Sequence, residues 1–318
     1  MKSVIFMGTP QFAAPILSGI IKAGYEIKAV VTQPDRKVGR KKILSASPVK
    51  QVALKHDLKV LQPAKLSQSQ ELLELMELKA DFIITAAYGQ FLPTKLLKTA
   101  QIAAINVHGS LLPKYRGGAP VQYALKNGDK KTGVSIIYMV KQMDAGDILA
   151  TEVLPITKND DTGTIFEKMS LIGRDLLLKT LPKLSENTII ATKQNEQEVV
   201  FAPTIKPNEE SLSLMQSAKQ IDWQIRAFRP APGAYFANFN QKRTKIWDVT
   251  VLDEQTTKKA GTVVGLTKHE LKIAAANGSV YCINELQPAG KPRLKINDYL
   301  NGVGQNIKLG QVIITDDK

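Results

Sequence analysis

The chain has 318 residues, which is long for a single hydrophobic core and predicts one large and one smaller domain. Hydrophobic residues make up 43% of it, which is typical of a globular protein. It contains no apolar run of membrane-spanning length, no secretory signal at its start, and no metal-ligand spacing among its one cysteine and three histidines, so we expect a cytoplasmic protein without membrane contact or metal. The net charge of +14 predicts a polyanionic partner, with nucleic acid first, or else only a solvated basic surface.

The first part of the chain alternates short apolar runs with amphipathic segments. Strands are predicted at residues 3–7, 27–32 and 82–86, and helices at residues 12–23, 48–56 and 69–78. This alternation predicts an α/β domain with a Rossmann-like, doubly wound and mostly parallel sheet. The turn after the first strand has a single glycine, Gly8, where a dinucleotide-binding fingerprint needs three, which argues against nicotinamide binding.

The periodic pattern stops between residues 34 and 47, where basic residues accumulate. These residues are Arg36, Lys37, Arg40, Lys41 and Lys42, with Asp35 as their counter-charge. We expect an exposed and mobile loop. Its charge fits either contacts with phosphates or a merely solvated surface.

Polar side chains mark the end of the strand that begins near Ile105. Asn106 and His108 are two positions apart, so in a strand they project from the same face, at the carboxyl end where open α/β sheets bind ligands. A strand at 133–138 is followed by Asp144, which folding can bring beside His108. An amide to donate to an oxyanion, an imidazole to move a proton and a carboxylate to hold the imidazole suit carbonyl chemistry. A purely structural role for these side chains is the alternative.

The remaining pattern divides the chain in two. A helix at 119–127, a strand at 147–153 and a helix from Thr162 to about 184 complete a domain of residues 1–185. Residues 186–207 lack an apolar period and are interpreted as a linker. In residues 208–318, one helix at 218–228 precedes short strands at 234–239, 245–252, 261–266, 271–275 and 280–286, which predicts a small barrel or sandwich.

Several motifs resemble those of formyltransferases that use 10-formyl-tetrahydrofolate. They are Asn-Val-His-Gly-Ser-Leu-Leu-Pro at 106–113, Tyr-Arg-Gly-Gly-Ala-Pro at 115–120 and Asp-Ala-Gly-Asp at 144–147. Phe-Met-Gly-Thr-Pro at 6–10, Thr-Gln-Pro-Asp-Arg at 32–36, Ala-Tyr-Gly at 87–89 and Ile-Arg-Ala-Phe at 225–228 extend the resemblance over nearly the whole chain. The chain is most similar to the tRNA formyltransferases of this family. It departs from them in having Ile-Asp-Trp at 221–223 rather than near 212–215, and Ala231 where an aromatic residue is common.

The resemblance implies transfer of a formyl group from 10-formyl-tetrahydrofolate, as co-substrate, to the α-amine of methionyl initiator tRNA for translation initiation. It makes Asn106, His108 and Asp144 catalytic, and it makes the second domain a β-barrel of the oligonucleotide-binding (OB) type that contributes to tRNA binding. The residues expected to contact folate are Ser110, Leu111, Leu112, Pro113, Tyr88 and Gly89, the last two in a turn for which ordinary loop packing is the alternative. The residues expected to contact tRNA are Arg36, Arg40, Lys41 and Lys42. We expect a monomer.

Two other functions remain open from the sequence. An enzyme with the same donor can act on another amine, such as a sugar nucleotide or glycinamide ribonucleotide, or can hydrolyse the donor. An RNA-binding module on a catalytically inactive scaffold is the alternative from another class. The basic loop and the second domain weigh against the first, and the presence of all three candidate catalytic residues weighs against the second.

Overall fold

The computed structural model describes residues 1–38 and 43–316. By contacts, the chain divides into two compact units. The first unit contains Met1–Pro120, Lys131–Pro155 and Thr164–Pro203, and the second contains Val121–Lys130, Ile156–Gly163 and Thr204–Lys318. Residues 121–130 belong to the second unit because Gly128 lies directly against the Trp223 ring and the Tyr123 hydroxyl donates to Glu209 over 3.2 Å.

The first unit contains the mixed sheet and its helices. Its strands are β1 Ser3–Gly8, β2 Glu26–Val31, β3 Arg36–Val38, β4 Ile43–Ser45, β5 Val60–Leu61, β6 Phe82–Ala86, β7 Ala103–His108, β8 Lys114–Arg116, β9 Lys131–Tyr138, β10 Ile148–Pro155 and β11 Val200–Phe201. The helices up to residue 185 are α1 Ala14–Lys22, α2 Pro48–Lys55, α3 Gln70–Glu77, α4 Thr94–Leu97, α5 Pro120–Lys126 and α6 Thr162–Ser185. Of these, α5 belongs to the second unit from Val121 onward, and α6 belongs to the first unit from Thr164 onward. The strands and helices predicted in this region are confirmed, with ends that differ by one or two residues.

The main sheet has the strand order β10-β9-β7-β6-β1-β2-β5. The strands from β7 to β5 are parallel to their neighbours, whereas β9 and β10 pair in antiparallel fashion at one edge. Every residue of β1 and β6 is buried, because these apolar runs are covered on both faces of the sheet. The predicted Rossmann-like, mostly parallel sheet is therefore confirmed.

The described parts of the basic loop contain two short strands that the sequence did not indicate. β3 and β4 form a short antiparallel hairpin, with Arg36 opposite Ser45 and Lys37 opposite Leu44. Three of the residues expected to contact tRNA, Arg40, Lys41 and Lys42, lie outside the described residues.

The second unit is built on an antiparallel sheet. Its elements are α7 Ala218–Ala227, β12 Tyr235–Phe239, β13 Lys242–Gln255, β14 Val263–Leu266, β15 Leu271–Ala274, β16 Ser279–Pro288, β17 Leu294–Lys295, α8 Ile296–Leu300 and β18 Ile314–Thr315. The strand order is β14-β15-β16-β13-β12-β18, with β17 paired to β16, and the sheet curls into a half-barrel. This confirms the smaller β-barrel domain predicted from the sequence.

The Ile-Asp-Trp sequence at 221–223 lies inside α7. Ser217 caps the start of this helix, because its side chain accepts a hydrogen bond from the Gln220 backbone N–H. Asp222 pairs with Arg226 one turn later, with 3.0 Å between Oδ2 and Nε.

In the part of the chain that the structure describes, no helix combines the length and hydropathy that a membrane crossing requires.

Candidate active site

Asn106 and His108 lie at the carboxyl end of β7, between parallel β6 and antiparallel β9. His108 is only 6% exposed, and Asn106 is half-buried. The Thr85 hydroxyl, in the neighbouring β6, donates to Asn106 Oδ1 over 2.7 Å. Because Oδ1 is engaged as an acceptor, the Nδ2 end of the amide is turned toward the site.

Asp144, in the loop between β9 and β10, reaches both of these side chains. Its Oδ1 accepts from Asn106 Nδ2 over 3.3 Å, and its Oδ2 is 3.6 Å from His108 Nδ1. The same Oδ2 accepts from the Gly117 backbone N–H over 2.9 Å. The three residues expected to be catalytic therefore come together at one end of the sheet.

His108 lies between two acceptors. Its Nε2 is 2.9 Å from the carbonyl oxygen of Tyr115, and a carbonyl can only accept, so this nitrogen carries a proton. The Asp144 carboxylate faces the other ring nitrogen. A histidine in this position can donate from both nitrogens only as the imidazolium, which is the form suited to stabilising negative charge nearby.

The Asp144 loop has a specific backbone shape. Asp144 has a φ of +51°, in the left-handed region that side chains rarely adopt. Two residues later, a Cβ on Gly146 would lie 1.8 Å from the Tyr138 carbonyl oxygen, so this position requires glycine. The loop thus turns the carboxylate back toward β7.

The segment expected to contact folate, Ser110 to Pro113, is a turn held by buried hydrogen bonds. The Ser135 hydroxyl on β9 accepts from the Leu112 backbone N–H and donates to the Ser110 carbonyl. The Ser110 hydroxyl, fully buried, donates to the Lys114 carbonyl over 2.6 Å. Leu112 is buried, whereas Leu111 and Pro113 are half-buried and offer apolar surface.

Tyr88 and Gly89 occupy different environments. The Tyr88 ring is 3% exposed within the core beneath the sheet, and burial raises the pKa of its phenol to about 12. Its carbonyl accepts from the Thr9 hydroxyl and from Gln33 Nε2. Gly89 is exposed with a φ of +87°. Any contact of this turn with a ligand therefore runs through Gly89 and the backbone rather than through the phenol.

The remaining residue expected to contact tRNA, Arg36, begins β3. Its Nη2 donates to Gln33 Oε1 over 3.4 Å. No ion pair of Arg36 is found among the described residues, and the adjacent Asp35 pairs with Lys50 instead. The guanidinium therefore remains available to an anionic ligand.

Sequence reasoning did not identify Thr85 as part of the site. Thr85 is directly opposite Asn106 in the pairing of β6 with β7. A single hydroxyl in the otherwise apolar strand Phe82–Ala86 was the available signal, because a buried hydroxyl needs a partner.

Comparisons with known proteins identify the family. The family model described as "Formyl transferase" matches residues 1–181, and "Formyl transferase, C-terminal domain" matches residues 204–304. The chain is 64% identical to a methionyl-tRNA formyltransferase of Ligilactobacillus salivarius over the full length of both chains. It is 60% identical to a methionyl-tRNA formyltransferase of Lactiplantibacillus plantarum over 99% of each chain.

Solved structures share the fold at low sequence identity. The sugar 3N-formyl transferase WlaRD superposes with a TM-score of 0.68 at 18% identity, covering 92% of this chain and 99% of that one. HypX from Aquifex aeolicus, solved in complex with tetrahydrofolic acid, gives a TM-score of 0.65 at 16% identity, over 97% of this chain and 48% of its own. Family models and full-length relatives together show that the chain belongs to the formyl transferase family.

Proposed function

We propose that this protein transfers the formyl group of 10-formyl-tetrahydrofolate to the α-amine of methionine esterified to initiator tRNA. The observation that carries this proposal is the contact of Asp144 with both Asn106 and His108, 3.3 and 3.6 Å away, at the carboxyl end of β7. The two named relatives, at 64 and 60% identity, support methionyl-tRNA as the acceptor.

The residues of the site suit each step of formyl transfer. The amine nitrogen attacks the formyl carbon and its lone pair forms the new C–N bond, while the carbonyl electrons move onto oxygen. Asn106 donates to this oxyanion, since among the described residues only Asp144 accepts from its Nδ2, which has two protons. The positive charge of protonated His108 stabilises the same oxyanion.

Asp144 has two roles in this mechanism. Its carboxylate holds His108 in place and takes part in moving the proton that the attacking nitrogen must lose. The intermediate then collapses, the bond between the formyl carbon and the folate nitrogen breaks, and that nitrogen gains a proton. The products are N-formylmethionyl-tRNA and tetrahydrofolate.

The folate is proposed to bind along the turn that follows His108. This turn is rigid because Ser135 fixes its backbone, and Leu111 and Pro113 present apolar surface beside the catalytic side chains. Gly89 supplies an exposed backbone at the neighbouring strand end. Leu112, Ser110 and Tyr88, which are buried, support the shape of the site.

The tRNA is proposed to contact the basic loop with Arg36, Arg40, Lys41 and Lys42. The net charge of +14 fits a polyanionic substrate, and neutralised phosphates release counterions that favour binding. We also propose a contribution of the C-terminal half-barrel to tRNA binding. We also propose that the protein acts as a monomer, since Asn106, His108 and Asp144 meet within a single chain, and that it acts in the cytoplasm, where translation is initiated.

The direct test compares acceptors with one donor. Purified protein is given 10-formyl-tetrahydrofolate and either methionyl initiator tRNA, methionyl elongator tRNA, free methionine or dTDP-3-aminofucose, and formylated product is quantified. We expect product from the initiator tRNA and little from the others. Preferred formylation of the amino sugar, or release of formate without an acceptor, would overturn the proposed acceptor.

A further inference from the structure

The segment after α6 reaches back into the candidate site. Gln194 Nε2 is 2.7 Å from the carbonyl oxygen of Asp144 and 2.8 Å from that of Gly146. The side-chain amide of Gln194, 50 residues after Asp144 in the chain, thus binds two backbone carbonyls of the loop that carries the catalytic carboxylate.

The orientation of the Gln194 amide is fixed by its partners. Carbonyl oxygens only accept, so the NH₂ group must face Asp144 and Gly146. A guanidinium only donates, and Arg116 Nε is 3.0 Å from Gln194 Oε1. The NH₂ group and the Oε1 atom of Gln194 therefore cannot exchange places without losing these hydrogen bonds.

Arg116 in turn depends on this segment. Its side chain is fully buried in the first unit, where an unpaired guanidinium would be costly. Besides Gln194, it donates to both carboxylate oxygens of Glu196, over 3.3 and 2.8 Å. The Arg116 guanidinium holds the pKa of the Glu196 carboxyl below its usual range.

The two residues that flank Arg116 in the chain contact the catalytic residues through their backbone. The carbonyl of the preceding Tyr115 faces His108 Nε2, and the N–H of the following Gly117 donates to Asp144 Oδ2. The β8 strand that carries them is parallel to β11, and the Arg116 carbonyl accepts from the Ala202 N–H over 2.7 Å.

We infer that Gln194 and Arg116 are positioning residues that set the Asp144 carboxylate against His108. This inference rests on the proposed function, and it assigns a part in catalysis to Gln194, which in the sequence lies between the residues matched by the two family models. Gln194 and Glu196 attach the segment of residues 186–207 to the site by hydrogen bonds rather than by apolar burial. This explains why the segment has no hydrophobic period.

The test exchanges one polar group with little change of shape. Gln194→Glu replaces the NH₂ group that faces two carbonyls with a carboxylate oxygen, which repels them. We expect kcat to fall about tenfold to a hundredfold, the scale of an ångström-sized misplacement of a catalytic group. The KM for 10-formyl-tetrahydrofolate and the affinity for its stable 5-formyl isomer should stay within about twofold of wild type, because the folate turn is held separately by Ser135.

A matched control lies in the same segment. Gln197 is exposed, and Gln197→Glu introduces the same charge without touching the Asp144 loop, so its kcat should equal that of wild type. Gln194→Ala removes the two donors without adding repulsion, and it should be slower than wild type but faster than Gln194→Glu. If Gln194→Glu fails to fold, Gln194→Ala is judged by the same split between kcat and donor binding.

Three results would overturn the inference. Gln194→Glu and Gln194→Ala could both turn over within about twofold of wild type, kcat and donor affinity could fall together, or Gln197→Glu could be equally slow. His108→Ala, measured in parallel, separates this failure from that of the proposed function. If His108→Ala is inactive while the Gln194 variants are normal, only the positioning role is wrong; if His108→Ala is also normal, the proposed site is wrong.

Discussion

Replacing Thr85 with valine should slow formyl transfer while leaving the fold intact. Thr85 is 3% exposed in β6, and its hydroxyl donates to Asn106 Oδ1 over 2.7 Å. Valine has a similar shape, so the core keeps its volume, but Oδ1 loses the donor that fixes the amide.

The size of the effect follows from the two states left to Asn106. If the amide keeps its orientation, a buried acceptor is unsatisfied, which costs about 1–3 kcal/mol. In the wild-type structure, the Asp144 carboxylate accepts from Asn106 Nδ2 over 3.3 Å. If the amide turns over, Oδ1 faces this carboxylate instead, and the proposed oxyanion donor points away. The cost of the first state shifts the population toward the second, in which Asn106 cannot donate to the oxyanion, so we expect kcat to fall about fivefold to a hundredfold.

The assay is single-turnover transfer from saturating 10-formyl-tetrahydrofolate to methionyl initiator tRNA. Thr85→Ser is the matched control, because it keeps the hydroxyl and loses only a methyl group. It should transfer at nearly the wild-type rate although it melts at a lower temperature. A wild-type rate for Thr85→Val, or equal slowing of both variants, would refute the role assigned to this hydrogen bond.

Two further predictions concern stability and tRNA. Hydrogen bonds, first of all from the Ser3 backbone N–H, hold the pKa of Asp81 below its ordinary value of 3.8, so its stabilising effect is complete above that pH and is lost as the pH falls below it. Urea unfolding between about pH 5 and 2 should therefore show a steeper loss of stability for wild type than for Asp81→Asn, and equal slopes would contradict this. Alanine at Arg40 or at Lys41 and Lys42 should weaken tRNA use and flatten the salt dependence of tRNA binding, and Arg40→Lys should stay defective because an ammonium cannot make the paired contacts of a guanidinium. Wild-type behaviour of all these loop variants in both assays would show that the loop is merely solvated.

The sequence predicted the features that depend on local pattern. The continuous apolar run of β6 indicated a fully buried strand, and the period of two placed Asn106 and His108 on one face. The length of α6 and the five strands β12 to β16 of the second unit followed from the same kind of reasoning, whereas the two-residue strands β17 and β18 were not predicted. These features arise from neighbouring residues, so a single sequence contains enough information to identify them.

Other features depend on contacts between distant residues. β8 and β11 are too short to show a period, and each exists because the other pairs with it. The sequence left open whether Tyr88 lines a slot or packs, and its burial depends on the core formed by other strands and helices. The contact of Gln194 with the Asp144 loop requires a left-handed residue and a glycine in that loop, which no periodicity reveals.

The central claim is that Asn106 and His108 stabilise the oxyanion of formyl transfer. Its most direct test is the turnover of Asn106→Ala and His108→Ala with methionyl initiator tRNA, measured beside their affinity for 5-formyl-tetrahydrofolate. We predict a loss of about two orders of magnitude or more in turnover, the usual cost of losing an oxyanion donor or an acid-base group, with folate affinity largely retained. Turnover near that of wild type in either variant would contradict the claim for that residue.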